Sequence, residues 1–256
     1  MNLVVDIGNN FFKIGIFENS NLIFGFSDKN DKIDVEIEKI ICNYKEINRA
    51  LISNVSSVDI RGLLNKFNIR TFELDSTFIF PFKIKYLTPE TLGNDRLALA
   101  AAATTLFPNS NNLVIDAGTC ITIDFINNNN HFMGGSISPG LKMRYLSLNH
   151  YTANLPLLKN EGKFNFPGDS TNASIHSGIL GGVCNEIMGF IDKINSRYDK
   201  VNVILTGGDA KFLSKTLKIT IFANQNFILE GLNNICLLYT SPSPRDISGS
   251  RMPSSA

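Results

Sequence analysis

The feature that most constrains this chain is a short motif that occurs twice, 110 residues apart. Residues 3–10 read LVVDIGNN, and residues 113–120 read LVIDAGTC. Each copy is an apolar run that predicts a buried strand, followed by Asp-x-Gly, whose glycine suits a tight turn. Two such turns predict a duplicated fold with a polar cleft between the copies. A cleft that offers carboxylates and backbone N–H groups suits a ligand with phosphate groups and a metal ion.

The elements predicted around the two copies follow the same order. In each half, two strands form a hairpin around the Asp-x-Gly turn, a third strand follows, and helices then alternate with strands. We therefore predict an α/β fold built twice, with mixed sheets flanked by helices. A polar break divides an N-terminal lobe, residues 1–108, from a C-terminal lobe, residues 109–236. The Ser- and Pro-rich residues 237–256 are predicted to be a disordered tail that is not native to the protein.

Composition excludes several function classes. The chain has 256 residues, of which 43% are hydrophobic, and a net charge of +1. This charge does not favour nucleic acid as a partner, and no apolar run reaches the ~18 residues of a membrane span. The first residues lack the basic region of a signal peptide. The four cysteines form no C-x-x-C pair, so we expect a cytoplasmic protein without a disulfide framework or a zinc site.

Both copies of the repeated motif offer groups that bind phosphates and cations. In the first copy, Gly8 permits close backbone approach, Asp6 can hold Mg²⁺ directly or through water, and Lys13 can supply positive charge. In the second copy, Asp116 is a candidate cation ligand and the Thr119 hydroxyl can bind a phosphate. A carboxylate that ends a buried strand is costly unless it is paired or metal-bound. An ordinary hairpin turn is the alternative for either copy alone, but the recurrence favours a ligand site.

A third motif, Gly93-Asn94-Asp95-Arg96, stands at the predicted start of an alanine-rich helix. Asp95 can accept a proton from a hydroxyl that attacks a phosphate, and Arg96 can clamp a carboxylate. A helix cap with a local salt bridge is the alternative explanation. Two glycine-rich segments, at residues 134–140 and 206–208, indicate backbone that comes close to another group. A simple turn is the alternative for the first.

Taken in order, these motifs resemble those of the type III pantothenate kinases, members of the acetate and sugar kinase/Hsp70/actin superfamily. Each motif alone is widespread, but a Gly-x-Asp-Arg just before the second Asp-x-Gly-Thr is specific to this family. The matches run in order through about residues 3–235. They are Asp6-x-Gly8-Asn9, Gly93-x-Asp95-Arg96, Asp116-x-Gly118-Thr119, Gly134-Gly135-x-Ile137-x-Pro139-Gly140, Leu155-Pro156, Thr171 with Gly178, and Thr206-Gly207-Gly208.

The resemblance implies both a fold and a reaction. The fold would be two ribonuclease H-like (actin-like ATPase) lobes. The reaction would be ATP-dependent phosphorylation of pantothenate to 4′-phosphopantothenate, the first step of coenzyme A biosynthesis. The resemblance also implies Mg²⁺ with the ATP, a monovalent cation (K⁺ or NH₄⁺), and a homodimer whose substrate pocket lies partly across the dimer interface.

The resemblance further implies a role for each matched residue. Asp95 would be the proton acceptor, Asp116 would bind the monovalent cation, and Asp6 would bind Mg²⁺ through phosphates or water. The ATP site would consist of Asp6, Ile7, Gly8, Asn9, Asn10, Phe11, Phe12, Lys13 and Thr119. Pantothenate would contact Tyr86, Gly93, Asn94, Asp95, Arg96 and Thr171.

Three positions depart from the usual pattern of this family. Asn10 stands where Thr is common, Cys120 where Ala is common, and Asn94 where a small or apolar residue is usual. An asparagine amide can still donate to a phosphate oxygen. We therefore expect Asn10 to alter the affinity for ATP without abolishing the activity.

Two other functions fit parts of the pattern. A regulatory protein of the Bvg accessory factor type would keep the fold and bind a nucleotide, without this reaction as its main role. The intact Gly93-x-Asp95-Arg96 motif argues against it. A kinase of the same superfamily that acts on a sugar or another acid is disfavoured by the presence of Tyr86 and Thr171 together with that motif.

Overall fold

The computed structural model describes residues 1–217 and 222–240. The strands are β1 (Asn2–Ile7), β2 (Phe11–Glu18), β3 (Asn21–Lys29), β4 (Arg49–Asn54), β5 (Arg70–Glu73), β6 (Lys83–Ile84), β7 (Asn111–Ala117), β8 (Cys120–Ile126), β9 (His131–Pro139), β10 (Val201–Thr206) and β11 (Phe222–Ala223). The helices are α1 (Ile33–Asn43), α2 (Arg61–Lys66), α3 (Asn94–Leu106), α4 (Leu141–His150), α5 (Thr171–His176), α6 (Gly182–Asn195), α7 (Ala210–Leu217) and α8 (Phe227–Thr240). Within the described ranges, no helix combines the length and the apolar character needed to cross a lipid bilayer.

The strands form two sheets that share one arrangement. The first sheet has the order β3-β2-β1-β4-β5, and the second has the order β11-β10-β7-β8-β9-β6. Read from the opposite edge, the second sheet repeats the first, with β6 added beside β9. In each sheet the central strand, β1 or β7, is antiparallel to its hairpin partner and parallel to the strand on its other side. The duplicated α/β plan with mixed sheets, predicted from the repeated motif, is therefore confirmed.

Helix α3 lies in an apolar core that joins the two sheets. This core combines Val4 and Leu51 of the first sheet with Val114 and Ile204 of the second, together with side chains of α3 and α8. Helix α3 contacts strands of both sheets, whereas α8 contacts β1, β2 and β4 of the first. Residues 96–104 of α3 are all buried. A helix surrounded in this way needs no polar face, which explains its run of alanines.

The structure contains three elements that the sequence did not predict, namely β6, β11 and α8. Helix α8 includes residues 237–240, so it extends four residues past the predicted start of the tail. Its last turn is held by packing, since the ring of Tyr239 stacks on that of Phe78 with 4.7 Å between centroids. Residues 241–256 of the predicted tail lie outside the described residues. The lobe boundary between residues 108 and 109 stays a prediction.

Close packing of α8 on α3 depends on a glycine, which generates a testable prediction. A β-carbon at Gly231 would overlap the carbonyl oxygen of Ala98 and lie 3.2 Å from the β-carbon of Ala102. We predict that Gly231→Ala lowers the free energy of unfolding by about 1–3 kcal/mol, because the helices must move apart. Urea unfolding measures this difference.

A glycine in α6 provides the matched control. At Gly189 an added β-carbon would meet no described atom within 4 Å. Gly189→Ala should therefore leave the free energy of unfolding unchanged or raise it by up to about 1 kcal/mol, through the better helix propensity of alanine. Equal stability of Gly231→Ala and the wild type would contradict the proposed contact.

Candidate active site

Three aspartates from separate parts of the sequence line one cleft. Asp6 and Asp116 lie near the ends of the equivalent strands β1 and β7, and Asp95 lies in the first turn of α3. Because α3 passes between the sheets, its first turn meets the ends of both central strands. The rest of the cleft is lined by Gly8, Asn9, Lys13, Val55, Leu99, Gly118, Thr119, Cys120, Thr122, Thr206 and Ile228.

The two Asp-x-Gly turns use their glycine amides in the same way. The N–H of Gly8 donates to the carbonyl oxygen of Phe11 at 3.0 Å, and the N–H of Gly118 donates to that of Cys120 at 3.0 Å. These bonds shape the turns, so phosphate binding would rely on other groups in each loop. The two loops also face each other, since the Asn10 side-chain amide donates to the Thr119 hydroxyl at 3.5 Å.

Burial changes the acidity of two of the three aspartates. It raises the pKa of Asp6 from 3.8 to about 7 and that of Asp116 from 3.8 to about 6. Loss of hydration is the largest cause in both, and the charge of Asp95 adds to it, whereas Lys13 acts in the opposite direction. The hydroxyl of Ser53 donates to Asp6 at 3.0 Å and also favours the charged form. The cleft thus concentrates more negative charge than Lys13 balances, which favours a bound cation.

The donor set of the cleft fits a cation that shares its ligands with a substrate. Across residues 1–217 and 222–240, no three His, Cys, Asp or Glu side chains lie close enough together to hold a metal ion. Asp6 and Asp116 nevertheless supply carboxylate oxygens, the ligands that hard cations prefer. A cation beside them would complete its coordination with phosphate oxygens or water.

The first turn of α3 holds the Asp95 carboxylate in place. Gly93 is the residue that precedes the helix, and Asn94 is its first residue. The backbone N–H of Arg96 donates to Oδ1 of Asp95 at 2.8 Å. The carboxylate is half-buried and borders the cleft. It is therefore oriented, yet open to a substrate.

The side chain of Arg96 is buried against Asp124. Its Nε lies 3.1 and 3.0 Å from the two carboxylate oxygens of Asp124, and Nη2 also bonds Oδ1. Its guanidinium carbon is 5.7 Å from the ring centre of Tyr86. The sequence interpretation did not single out Asp124. An aspartate inside a mostly apolar strand such as β8 requires a partner. This pattern marks Asp124 as unusual, but it does not show which residue pairs with it.

The structure also locates four other predicted site residues, three beside the first Asp-x-Gly turn and one at the start of α5. The side chains of Ile7 and Phe12 are buried in the core of the first sheet, so only their backbone can reach a nucleotide, whereas Phe11 is 55% exposed. Thr171 begins α5 at an exposed position. It is not among the described residues that line the cleft. Of the six predicted substrate residues, only Asp95 lines the cleft. Within the described part of the chain, Tyr86, Gly93, Asn94 and Arg96 are, like Thr171, absent from its lining.

A second cavity adjoins the cleft at Lys13. It has a volume of about 290 Å³, against about 140 Å³ for the cleft. Each volume is below the roughly 300–1,000 Å³ of sites for drug-sized ligands. The two together can hold a ligand of nucleotide size. The lining of the second cavity consists of Lys13, Gly25, Phe26, Ser27, Gly207, Gly208, Gln225, Asn226 and Leu229.

Comparison with known sequences identifies close relatives. The family model for type III pantothenate kinase matches residues 2–193. A type III pantothenate kinase from Flavobacterium johnsoniae is 47% identical over 236 residues, which covers 91% of this chain and 96% of that protein. One from Bacteroides fragilis is 38% identical over 237 residues, with 92% and 97% covered.

Solved structures share the fold at low sequence identity. A Campylobacter jejuni protein, described as a conserved Baf family transcriptional activator, has a TM-score of 0.59 and 23% identity, covering 91% of this chain and 96% of that one. The activator of 2-hydroxyisocaproyl-CoA dehydratase from Clostridium difficile, with bound ADPNP, has a TM-score of 0.56 and 11% identity, with 99% of each chain covered. These likenesses concern the fold alone, and they confirm the predicted actin-like ATPase class.

Burial disfavours the charged form of Asp6 and so raises its pKa. We therefore predict that Asp6→Asn stabilises the ligand-free protein at about pH 8. In the wild type, the folded state keeps the proton up to a pKa of about 7, whereas the unfolded chain releases it near 3.8. Wild-type stability should therefore fall as the pH rises from about 4 to 7, and the gain in the variant should grow over the same interval to the order of 4 kcal/mol.

Urea unfolding at about pH 4, 6 and 8 measures this pH dependence. Asp192→Asn, at an exposed position in α6, is the matched control and should show no comparable trend. A stability difference for Asp6→Asn that is constant across the three pH values would contradict the prediction.

Proposed function

This chain belongs to the type III pantothenate kinase family, and we propose how its cleft divides the work of the reaction among its residues. The protein is a kinase that uses ATP to phosphorylate pantothenate, within coenzyme A biosynthesis. The convergence of Asp6, Asp95 and Asp116 on one cleft carries the proposal. A candidate base that shares a cleft with two candidate cation ligands suits phosphoryl transfer.

ATP would span the cleft and the cavity beside it. Its phosphates would lie between the two Asp-x-Gly turns, with residues 6–13 on one side and Thr119 on the other. Its nucleoside would occupy the cavity at Gly207 and Gly208. Lys13 supports this placement because it borders both spaces and carries the positive charge. Mg²⁺ would be held beside Asp6 through the phosphates or water, where it would neutralise charge on the phosphate oxygens.

Asp95 would act as the general base. Its carboxylate would accept the proton of the pantothenate hydroxyl as the hydroxyl oxygen attacks the γ-phosphorus in line. The bond from that phosphorus to the β–γ bridging oxygen then breaks, and ADP leaves. Positioning and charge neutralisation supply most of the rate in such reactions. The orienting bond from the Arg96 N–H to Asp95 supports this role.

Pantothenate would bind at the start of α3, beside Tyr86, Gly93, Asn94, Asp95 and Arg96. Because Asp124 takes the Nε side of the guanidinium, a substrate carboxylate would meet Arg96 at its opposite end. The protein would form a homodimer. Thr171 is exposed and so is accessible to a second copy, whose pocket it would serve across the interface.

Asp116 would bind a monovalent cation, K⁺ or NH₄⁺. Burial makes its charge costly in the ligand-free protein, and a cation would remove that cost. We also propose a cytoplasmic location, since ATP is an intracellular metabolite. The regulatory alternative of the Bvg accessory factor type has less support, because the base and both cation ligands meet in one cleft.

Removing the base should abolish most of the activity. We predict that Asp95→Asn lowers kcat with ATP and pantothenate by about 10²- to 10⁴-fold, because asparagine cannot accept the proton. A coupled assay of ADP release measures kcat, and binding of a non-hydrolysable ATP analogue checks that the nucleotide site is intact. Near-normal turnover by this variant would show that the base is assigned wrongly. A sugar that replaces pantothenate in the same assay should give no turnover.

Activity should depend on the monovalent cation through Asp116. We predict that turnover falls when tetramethylammonium replaces K⁺ at constant ionic strength. Asp116→Asn should raise the K⁺ concentration for half-maximal turnover by about tenfold or more, since one attractive charge is lost. Titration of K⁺ and NH₄⁺ against both proteins measures the effect. Full wild-type turnover without either cation would refute the assignment.

A further inference from the structure

We propose that Asp124 is a positioning residue for phosphoryl transfer, which acts on Asp95 through Arg96. The inference rests on the proposed role of Asp95 as the general base. The carboxylate of Asp124 holds the Arg96 side chain, and the Arg96 backbone holds the Asp95 carboxylate. Asp124 thereby orients the Asp95 carboxylate without contacting it.

The pair of Arg96 and Asp124 joins the first turn of α3 to the second sheet. The two side chains are only 5% and 3% exposed. Both carboxylate oxygens engage the Nε edge of the guanidinium, which is the two-point contact of a charge-assisted pair. Such a contact has one preferred orientation. It therefore fixes the start of α3 relative to β8, 28 residues further along the chain.

Two glycines and two aromatic rings shape the site of this pair. A β-carbon at Gly135 would lie 2.6 Å from the Asp124 carboxylate, and one at Gly134 would lie 3.3 Å from the Tyr86 ring. The guanidinium carbon of Arg96 is 5.7 Å from the ring centres of both Tyr86 and Phe132. The rings and the close backbone exclude water from the Arg96–Asp124 pair and restrict the movement of both side chains, so the pair is held rigidly. The glycines at 134 and 135, which the sequence predicted to approach another group, lie within β9 and make room for Asp124 and Tyr86.

The link to the base is a single hydrogen bond. The backbone N–H of Arg96 donates to Oδ1 of Asp95 at 2.8 Å. A shift of Arg96 therefore moves both the donor and the adjacent residue that carries the base. A misplacement of about 1 Å in a catalytic group lowers a rate on the order of 100-fold. The effect of losing Asp124 should consequently fall on kcat.

The first test separates kcat from KM. Asp124→Asn should lower kcat by about 10- to 100-fold and leave KM for ATP nearly unchanged. The matched control is Asp59→Asn, since Arg61 makes the same two-point contact with Asp59 at 2.9 Å on the exposed surface. The control should retain the wild-type kcat. A wild-type kcat for Asp124→Asn would overturn the inference.

A double variant tests whether Asp124 acts through Asp95. In the Asp95→Asn background, adding Asp124→Asn should not lower the residual turnover further, because residue 95 no longer carries a carboxylate for Asp124 to orient. Additive losses would overturn the inference. If Asp95→Asn alone keeps normal turnover, the assignment of the base fails instead, so the two failures are distinguishable.

A substrate analogue tests the competing role of Asp124 in substrate binding. The analogue is pantothenyl alcohol, in which a hydroxymethyl group replaces the carboxylate of pantothenate. The loss of kcat in Asp124→Asn should be the same with both substrates. A loss that appears only with pantothenate, and only in KM, would show that Asp124 serves the substrate carboxylate, and would overturn the inference.

An apolar replacement of the pair guards against simple unfolding. Asp124→Asn leaves the buried charge of Arg96 without its partner, so urea unfolding must first show that the variant is folded. If it is not, the variant that combines Arg96→Met with Asp124→Leu replaces the ion pair with apolar groups of similar volume. This folded variant should also have a reduced kcat. A wild-type kcat would overturn the inference.

Discussion

The close packing of α3 and α8 beneath the cleft is the constraint on which the site depends. Gly231 lets the backbones of the two helices approach, and alanines along α3 let both sheets pack near it. As a result, the first turn of α3 meets the ends of β1 and β7. Larger side chains along α3 would hold the sheets further apart. Asp95 would then lie too far from Asp6 and Asp116 for the three carboxylates to line one cleft.

The presence of these three carboxylates in one cleft lowers the stability of the ligand-free protein, but it suits the binding of a cation. Burial raises the pKa of Asp6 and Asp116, and the charge of Asp95 adds to the effect. A cleft of this kind would favour a bound cation and its phosphate ligands, because its negative charge is poorly neutralised when they are absent. Active sites often retain such unfavourable arrangements while the rest of the structure supplies the stability. Here the apolar cores on the faces of both sheets do so.

The residues that the sequence interpretation missed have physical explanations. Helix α8 contains Gly231 and Asn233, which disfavour a helix in isolation, and its stability comes from tertiary contacts. The side chain of Asn233 accepts a hydrogen bond from Asn2 at 2.9 Å and donates one to the backbone of Asn19 at 2.7 Å. Likewise, the motif around Arg96 indicated an anion anchor but not its partner. That partner lies on another element, and only the packing of α3 on β8 reveals it.

The sequence by itself determined the duplicated lobes, the two Asp-x-Gly turns, the helix start that carries Asp95, and the family of kinases. These features follow from short-range patterns, because strand periodicity and turn chemistry depend on neighbouring residues. Only the tertiary structure decided which side chains meet. It brought Asp6, Asp95 and Asp116 to one cleft, buried Arg96 against Asp124, and left Thr171 exposed and outside the lining of that cleft. Contacts between residues far apart in the chain depend on how helices and sheets pack. No pattern of neighbouring residues specifies those contacts.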